Sequence, residues 1–317
     1  MTVTTASIVD RVVALLDVED DGGDVFTGAR GDLGLPRVFG GQVLAQALMA
    51  AARTVPADRP AHSLHAYFLR GGDPLHPVRY AVERVRDGRR LSSRTVRAFQ
   101  GGATLATVTV SFADTAGALA HQRPAPVTVP VEQVPSLTQI SQEWGGLGPY
   151  WAGFDLIEVR VDPRRFEPGD PPDLTQPDLT QPDLTQPDLT QWTDHVWQRV
   201  PAALPDDPAL HQALLVYASD VMQLAAAMVP HGLPVGREEM DGVMWDAVSL
   251  DHALWFHRPV RMDDWLLFEQ CSPVGAAGRA LTRAEVFTAT GEMVASVVQE
   301  GLVPDPGESV TSPSNTS

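Results

Sequence analysis

The chain has no lysine: all 23 of its basic residues are arginine. Schiff-base catalysis, a pyridoxal phosphate linkage and a Walker-type phosphate loop each need a lysine ammonium, so all three are excluded. A single cysteine, Cys271, stands among 317 residues. That leaves no disulfide framework and no thiolate metal site. Neither a GxSxG nucleophile elbow nor a GxGxxG dinucleotide fingerprint occurs. Positive charge is scarce overall: the formal net charge is −17 and the isoelectric point is about 4.8. Such an acidic surface argues against nucleic acid and anionic membranes as partners. No apolar run is long enough to span a bilayer, so no membrane insertion is expected. The opening MTVTTASIVDRVVALLDVEDD lacks a signal-peptide pattern and the closing SNTS is not a peroxisomal address. The expectation is a cytoplasmic protein.

What is present is a normal globular composition, 44% hydrophobic, with room for two ordinary domains. The chain also repeats itself. HSLHAYFLRGG, His62 to Gly72, leads into alternating stretches that close with ATLATVTVSF, Ala103 to Phe112. VSLDHALWFHRP, Val248 to Pro259, leads into similar stretches that close with EMVASVVQEGLV, Glu292 to Val303. Placing His65 on His252 gives an offset of 187 (252 − 65), which the closing strands follow to within a residue. Two copies of one supersecondary unit are the reading.

Periodicity predicts the elements. Residues 5–17 read as an amphipathic helix with Val9, Val12, Val13 and Leu16 on one side. A strand is expected at Val25 to Gly28. GGQVLAQALMAAARTVP, Gly40 to Pro56, is Ala- and Leu-rich and uncharged before Arg53, which predicts a helix buried nearly all round. Strands follow at His65–Arg70, Val78–Asp87, Ser92–Gln100 and Ala103–Phe112, with RDGR and QGGA as hairpin turns. Residues 114–150 lose periodicity and read as a linker. Phe154 to Pro163 is a strand. PDLTQ then repeats four times, Pro172 to Gln191, and proline at every fifth position predicts a solvated insertion with no packed structure. DHVWQRV is a strand, and His211 to Gly232 is a second buried helix stopped by Pro230 and Gly232. Four strands close the pattern, at Ala247–His257, Trp265–Cys271, Gly278–Thr288 and Met293–Val303.

Three polar residues distinguish the second copy. Asp220 lies in the second helix among Val216, Tyr217, Gln223 and Leu224. A carboxylate on an apolar face is either a satisfied structural group or a desolvated general base, and the two readings stand even. Gln299 is in phase with Ala295 and Val297 on an apolar strand face, and its counterpart in the first copy falls near Ser111. Ser249 starts a strand. The histidine pairs His62/His65 and His252/His257 have odd spacings, which point strand side chains to opposite faces and exclude chelation. His65 and His252 taken singly read as core or turn residues. Arg70, Arg86, Arg89, Arg90 and Arg94 read as surface residues, some able to receive phosphate.

Six blocks then carry a family resemblance: RVFGGQVLAQAL, HSLHAYFLRGGD, the RDG turn, LHQALLVYASD, DHALWFHRP and VASVVQEG. In this order they resemble the acyl-CoA thioesterase II family. The resemblance implies an α+β double hotdog, two units each with a long buried helix wrapped by an antiparallel sheet. The implied division is an N-terminal hotdog at 1–118, a linker at 119–148, a C-terminal hotdog at 149–304 with the insertion at 170–191, and a tail at 305–317. It also implies an acyl-CoA substrate, no cofactor and no metal; the expected assembly is a homo-oligomer, dimer or tetramer. The family's water-activating Asp, Thr/Ser and Gln fall on Asp220, Ser249 and Gln299. Family members commonly carry Thr where Ser249 keeps the hydroxyl without the methyl. Gly41 and Gln42, at a glycine-opened helix start, are candidate oxyanion donors, with His65 a further candidate contact to substrate. Two alternatives are a hotdog enoyl-CoA hydratase, for which GGDPLHP would supply an Asp–His pair, and a non-catalytic acyl-CoA-binding protein.

Overall fold

The computed structural model describes residues 7–31, 33–114, 117, 119–143, 154–161, 193–231 and 247–303. The PDLTQ array and the closing tail lie outside them. The chain opens with α1 (Ile8–Leu16), whose start is fixed by a capping box between Ser7 and Asp10. Val12 and Leu16 are buried and Val9 packs beside them, but Val13 is turned toward solvent, so the apolar stripe is narrower than periodicity predicts. A hairpin of β1 (Val18–Gly22) and β2 (Val25–Gly28) follows. Its turn places Gly22, Gly23 and Asp24 at positive φ.

Helix α2 (Gly40–Ala52) is buried continuously from Gly41 to Ala51, as its uncharged sequence requires. Four strands, β3 (Ala61–Phe68), β4 (Arg79–Asp87), β5 (Leu91–Gln100) and β6 (Ala103–Ala113), form the sheet against which it packs. The expected linker holds a short helix, α3 (Leu137–Glu143), and it is followed by β7 (Glu158–Val161) and β8 (Thr193–Arg199). Helix α4 (Pro208–Ser219) starts three residues before the expected His211, because Asp207 caps the amides of Ala209 and Leu210 and Pro208 occupies the first turn. The last strands are β9 (Val248–Ser249), β10 (Asp251–Phe256), β11 (Leu266–Ala276), β12 (Arg279–Thr288) and β13 (Met293–Leu302). Strand β11 runs five residues past Cys271, with a register shift between Cys271 and Val274 that accommodates Pro273.

All thirteen strands belong to one antiparallel sheet, ordered β1-β2-β4-β5-β6-β3-β10-β13-β12-β11-β8-β7, with β9 paired to β13. Read from either end, the order of hairpins is the same, and the two halves meet where β3 pairs with β10. At that seam Leu64 faces Leu254, and Ala66 faces His252. The seam corrects the offset of the repeat. His65 is on the exposed face of β3 while His252 is fully buried on β10, so an offset of 187 puts the strands out of phase. An even offset restores the phase, because Leu64 and Ala66 of β3 are inward, as are His252, Leu254 and Phe256 of β10. Leu64 pairs with Val110 and Leu254 with Val297, and those two partners stand at the offset of 187 expected for the closing strands. The counterpart of Gln299 is then Phe112, the neighbour of Ser111.

One surface expectation fails. Arg70, Arg86, Arg89 and Arg90 are exposed, but Arg94 is wholly buried beneath the end of α2. Its guanidinium donates to Thr54 Oγ1 (2.7 Å), Thr54 O (2.9 Å), Arg86 O (3.0 Å), Ser93 O (3.0 Å) and Asp87 Oδ1 (2.6 Å). It is a structural staple with its donors directed at protein acceptors.

Candidate active site

The second helix ends well short of Pro230. Asp220 is the C-cap of α4 and not an interior residue, and two positions later Met222 adopts a left-handed backbone with φ of 64°. A single left-handed residue stops the α-helical ladder, and short 3₁₀ turns follow among the described residues at Leu224–Ala227 and Val229–His231. The bend is anchored by Gln223, which is fully buried and donates to Thr282 Oγ1 on β12 (3.3 Å) while accepting from Gln270 on β11 (3.4 Å). Asp220 is therefore lifted off the helix surface and turned toward the sheet.

There the structure brings Asp220, Ser249 and Gln299 together. Gln299 Nε2 donates to Asp220 Oδ1 (2.9 Å) and to Ser249 Oγ (2.5 Å). Strand β9 delivers Ser249 by pairing it with Gly301, two residues along β13 from Gln299. The other oxygen of Asp220 accepts the Gly41 backbone N–H (2.7 Å), a first-turn amide of α2 in the N-terminal half. The Asp220 side chain is only 6% exposed. That approach needs two glycines in succession. A Cβ on Gly40 would lie 2.8 Å from Asp220 Oδ2, and one on Gly41 would lie 2.6 Å from Tyr217 O.

The other candidates fall elsewhere. Gly41 is in the cluster but spends its amide on Asp220. Gln42 sends its side chain away to Ala29 O (3.0 Å), leaving only its backbone near the helix start. His65 lies on the exposed face of β3, edge-on to Trp255 at 4.9 Å, and is not brought to the cluster. GGDPLHP is a turn, as expected: Asp73 accepts from Leu75 N (2.9 Å) and pairs with His76 (2.8 Å), with both side chains more than half exposed. Among the described residues no group of histidine, cysteine and carboxylate side chains could hold a metal.

His252, which singly read as a core or turn residue, is in the core but also beside the cluster, which sequence reasoning did not indicate. It is fully buried, with Nδ1 3.9 Å from Asp220 Oδ1 and Nε2 2.9 Å from Ser219 Oγ. Burial pushes this imidazole below the ordinary histidine range, against the opposing pull of Asp220 and Gln299, so it is neutral. The available signal was its alternation with Leu254 and Phe256 on one face of β10, which marks an inward polar residue three positions from Ser249.

Comparison with known proteins accords with this architecture. A family model described as acyl-CoA thioesterase matches residues 180–302, and one described as acyl-CoA thioesterase N-terminal domain matches residues 29–113. Acyl-CoA thioesterase 2 of Haemophilus influenzae is 32% identical over 298 residues, covering 94% of this chain and 98% of that protein. The crystal structure of an acyl-CoA thioesterase II from Mycobacterium marinum superimposes with a TM-score of 0.72 at 34% identity, covering 96% of this chain and all of that one. A hot dog fold protein of unknown function from Alicyclobacillus acidocaldarius, 18% identical, shares the fold with a TM-score of 0.69 over 93% of this chain and 98% of that one. Two family models in chain order and a relative matched almost end to end place this chain in the acyl-CoA thioesterase II family.

Proposed function

We propose that the protein hydrolyses acyl-CoA thioesters to a carboxylic acid and CoA, and that Asp220, Ser249 and Gln299 activate the attacking water. The observation that carries this reading is the hydrogen-bonded contact of the three side chains around one nearly buried carboxylate. A thioester carbonyl is electrophilic enough for direct attack, so no covalent nucleophile is needed. Asp220 takes one proton from water as the hydroxide adds to the carbonyl carbon. Ser249 and Gln299 hold the water's orientation. The tetrahedral oxyanion collapses by expelling the CoA thiolate, which recovers the proton from Asp220. Because Gly41 is occupied by Asp220, the first-turn amides left are those of Gly40 and Gln42, and that of Gln42 is the donor assigned to the oxyanion.

The same reading treats the sheet as a double hotdog, with units at 1–118 and 149–304 joined by the linker at 119–148. A cytoplasmic homo-oligomer, dimer or tetramer, completes it. The exposed Asp73–His76 turn gives the hydratase alternative no buried acid–base pair. The test is hydrolysis of an acyl-CoA panel from acetyl to stearoyl length, followed by free-thiol release. Turnover that collapses in Asp220→Asn supports the proposal. No thiol release at any length, or an acyl adduct on Ser249 found by mass spectrometry, overturns it.

A further inference from the structure

One step beyond the Ala253–Val298 pair that ends the β10–β13 ladder, His252 and Gln299 are both inward and both fully buried. Yet His252 Nδ1 and Gln299 Oε1 are each buried without a hydrogen-bond partner among the described residues. They are the two unmet polar atoms beside Asp220. The Gln299 carboxamide lies near enough to favour protonation of the ring, although neither atom completes a hydrogen bond.

Proton bookkeeping discriminates between the two neutral tautomers. Ser219 has a single hydroxyl hydrogen, with Val216 O at 2.8 Å and His252 Nε2 at 2.9 Å both in range. If that hydrogen goes to Val216 O, the ring carries its proton on Nε2. Nδ1, Gln299 Oε1 and Asp220 Oδ1 are then three acceptors crowded together with no hydrogen for the first two. If it goes to Nε2, the ring carries its proton on Nδ1, facing Gln299 Oε1, and one small rotation satisfies both unmet atoms. The first arrangement leaves two buried acceptors, Nδ1 and Oε1, without a hydrogen, whereas the second withdraws the hydroxyl from one helix carbonyl, Val216 O.

We propose that His252 is a positioning residue of the site, whose Nδ1–H holds the Gln299 carboxamide oxygen and so keeps the amide nitrogen turned toward Asp220 and Ser249. A free carboxamide can flip end for end. A flipped Gln299 would present oxygen to the Asp220 carboxylate, breaking the 2.9 Å bond and repelling the general base. Ser219, one residue before Asp220, anchors the far side of the ring, so the orientation of Gln299 is tied to the helix end that carries the base. The inference rests on the site proposed above.

The test uses two amide variants with opposite geometry. Asparagine places a side-chain N–H near the Nδ1 position, whereas glutamine places one near Nε2. His252→Asn keeps the bond to Gln299 and is expected to hold kcat within about fivefold of the parent. His252→Gln keeps only the Ser219 side and is expected to lose kcat roughly tenfold or more, the scale of one hydrogen bond, with KM little changed. A purely structural role through Ser219 would reverse the order, and that reversal overturns the proposal. Nitrogen-15 NMR of the histidine-labelled parent reads the tautomer without any variant at residue 252. A protonated Nδ1 supports the proposal and a protonated Nε2 overturns it. Asp220→Asn is run alongside. If it turns over normally, the site assignment has failed, and the tautomer alone then decides whether the His252–Gln299 bond exists.

Discussion

Each half of the sheet buries one charged side chain at the end of its helix, and the two are treated in opposite ways. Beyond α2, Arg94 is sealed from solvent and directs its guanidinium to five protein acceptors. Beyond α4, Asp220 accepts just two donors among the described residues, the Gly41 amide and the Gln299 amide. A saturated buried charge is a fastener, since nothing remains for a ligand to offer. An unsaturated one keeps hydrogen-bonding capacity in reserve for a reactant. Both charges lie near a helix end of one repeated fold, and the difference in saturation separates the Arg94 staple from the proposed site.

The comparison can be broken from either side. The largest expected effect is at Asp220→Asn, which preserves shape and removes the base: kcat falls roughly 10²-fold or more while melting temperature stays near the parent. Steady-state kinetics with calorimetry on the same sample checks both halves of that statement. Arg94→Met should show the reverse pattern. It leaves Thr54 and Asp87 without their partner and costs about 2–3 kcal/mol of stability in denaturant unfolding, with kcat of the folded enzyme unchanged. Equal loss of activity in the two variants would erase the distinction.

Smaller effects sharpen it. Ser249→Ala and Gln299→Ala are each expected to cost about 1–3 kcal/mol in kcat/KM, and Ser249→Thr to be tolerated because the hydroxyl survives. Met222→Asn should lower stability by about 1–3 kcal/mol, since the methionine side chain is buried in the core and its loss outweighs the easier left-handed backbone of asparagine; a gain in stability would show that the φ matters more than the packing. The mildest prediction concerns pH. His62, His211, His252 and His257 are all held below the ordinary histidine range, chiefly by burial. Below about pH 6.5 the unfolded chain binds protons that these folded imidazoles refuse, so stability falls as pH drops from about 7 toward 5. A melting temperature that is flat or rising over that interval would contradict their burial.

Much of this was legible from residue order. The uncharged run after Gly40 announced a helix buried on every side, and alternation located most of the strands. Asp220 and Gln299 stood out as polar residues on apolar patterns, Ser249 was marked by a strand start and the family resemblance, and the three do meet. The misreadings came from features that periodicity does not encode. Helix α4 continues on paper to Pro230 because Val221, Leu224 and Ala225 keep its pattern, but a single positive φ at Met222 ends it. Arg94 looked like one more surface arginine because its acceptors, Thr54 and Asp87, come together only in three dimensions. The repeat was placed out of phase because two histidines invited alignment, whereas at the seam of β3 and β10 His65 faces outward and His252 inward.

That seam has a consequence for how the protein is made. Strand β3 is complete early in synthesis, but the strand that covers its free edge is not. Leu64 waits for Leu254, 190 positions later in the chain. At about 5–20 residues per second, the ribosome needs roughly 10–40 s to supply that partner. During this interval a nascent N-terminal half presents an open row of backbone donors and acceptors, the ordinary template for pairing with another chain. Crowded polysomes would therefore favour β3 of one nascent molecule meeting β3 of its neighbour, and slower translation of the second half should lower the soluble yield.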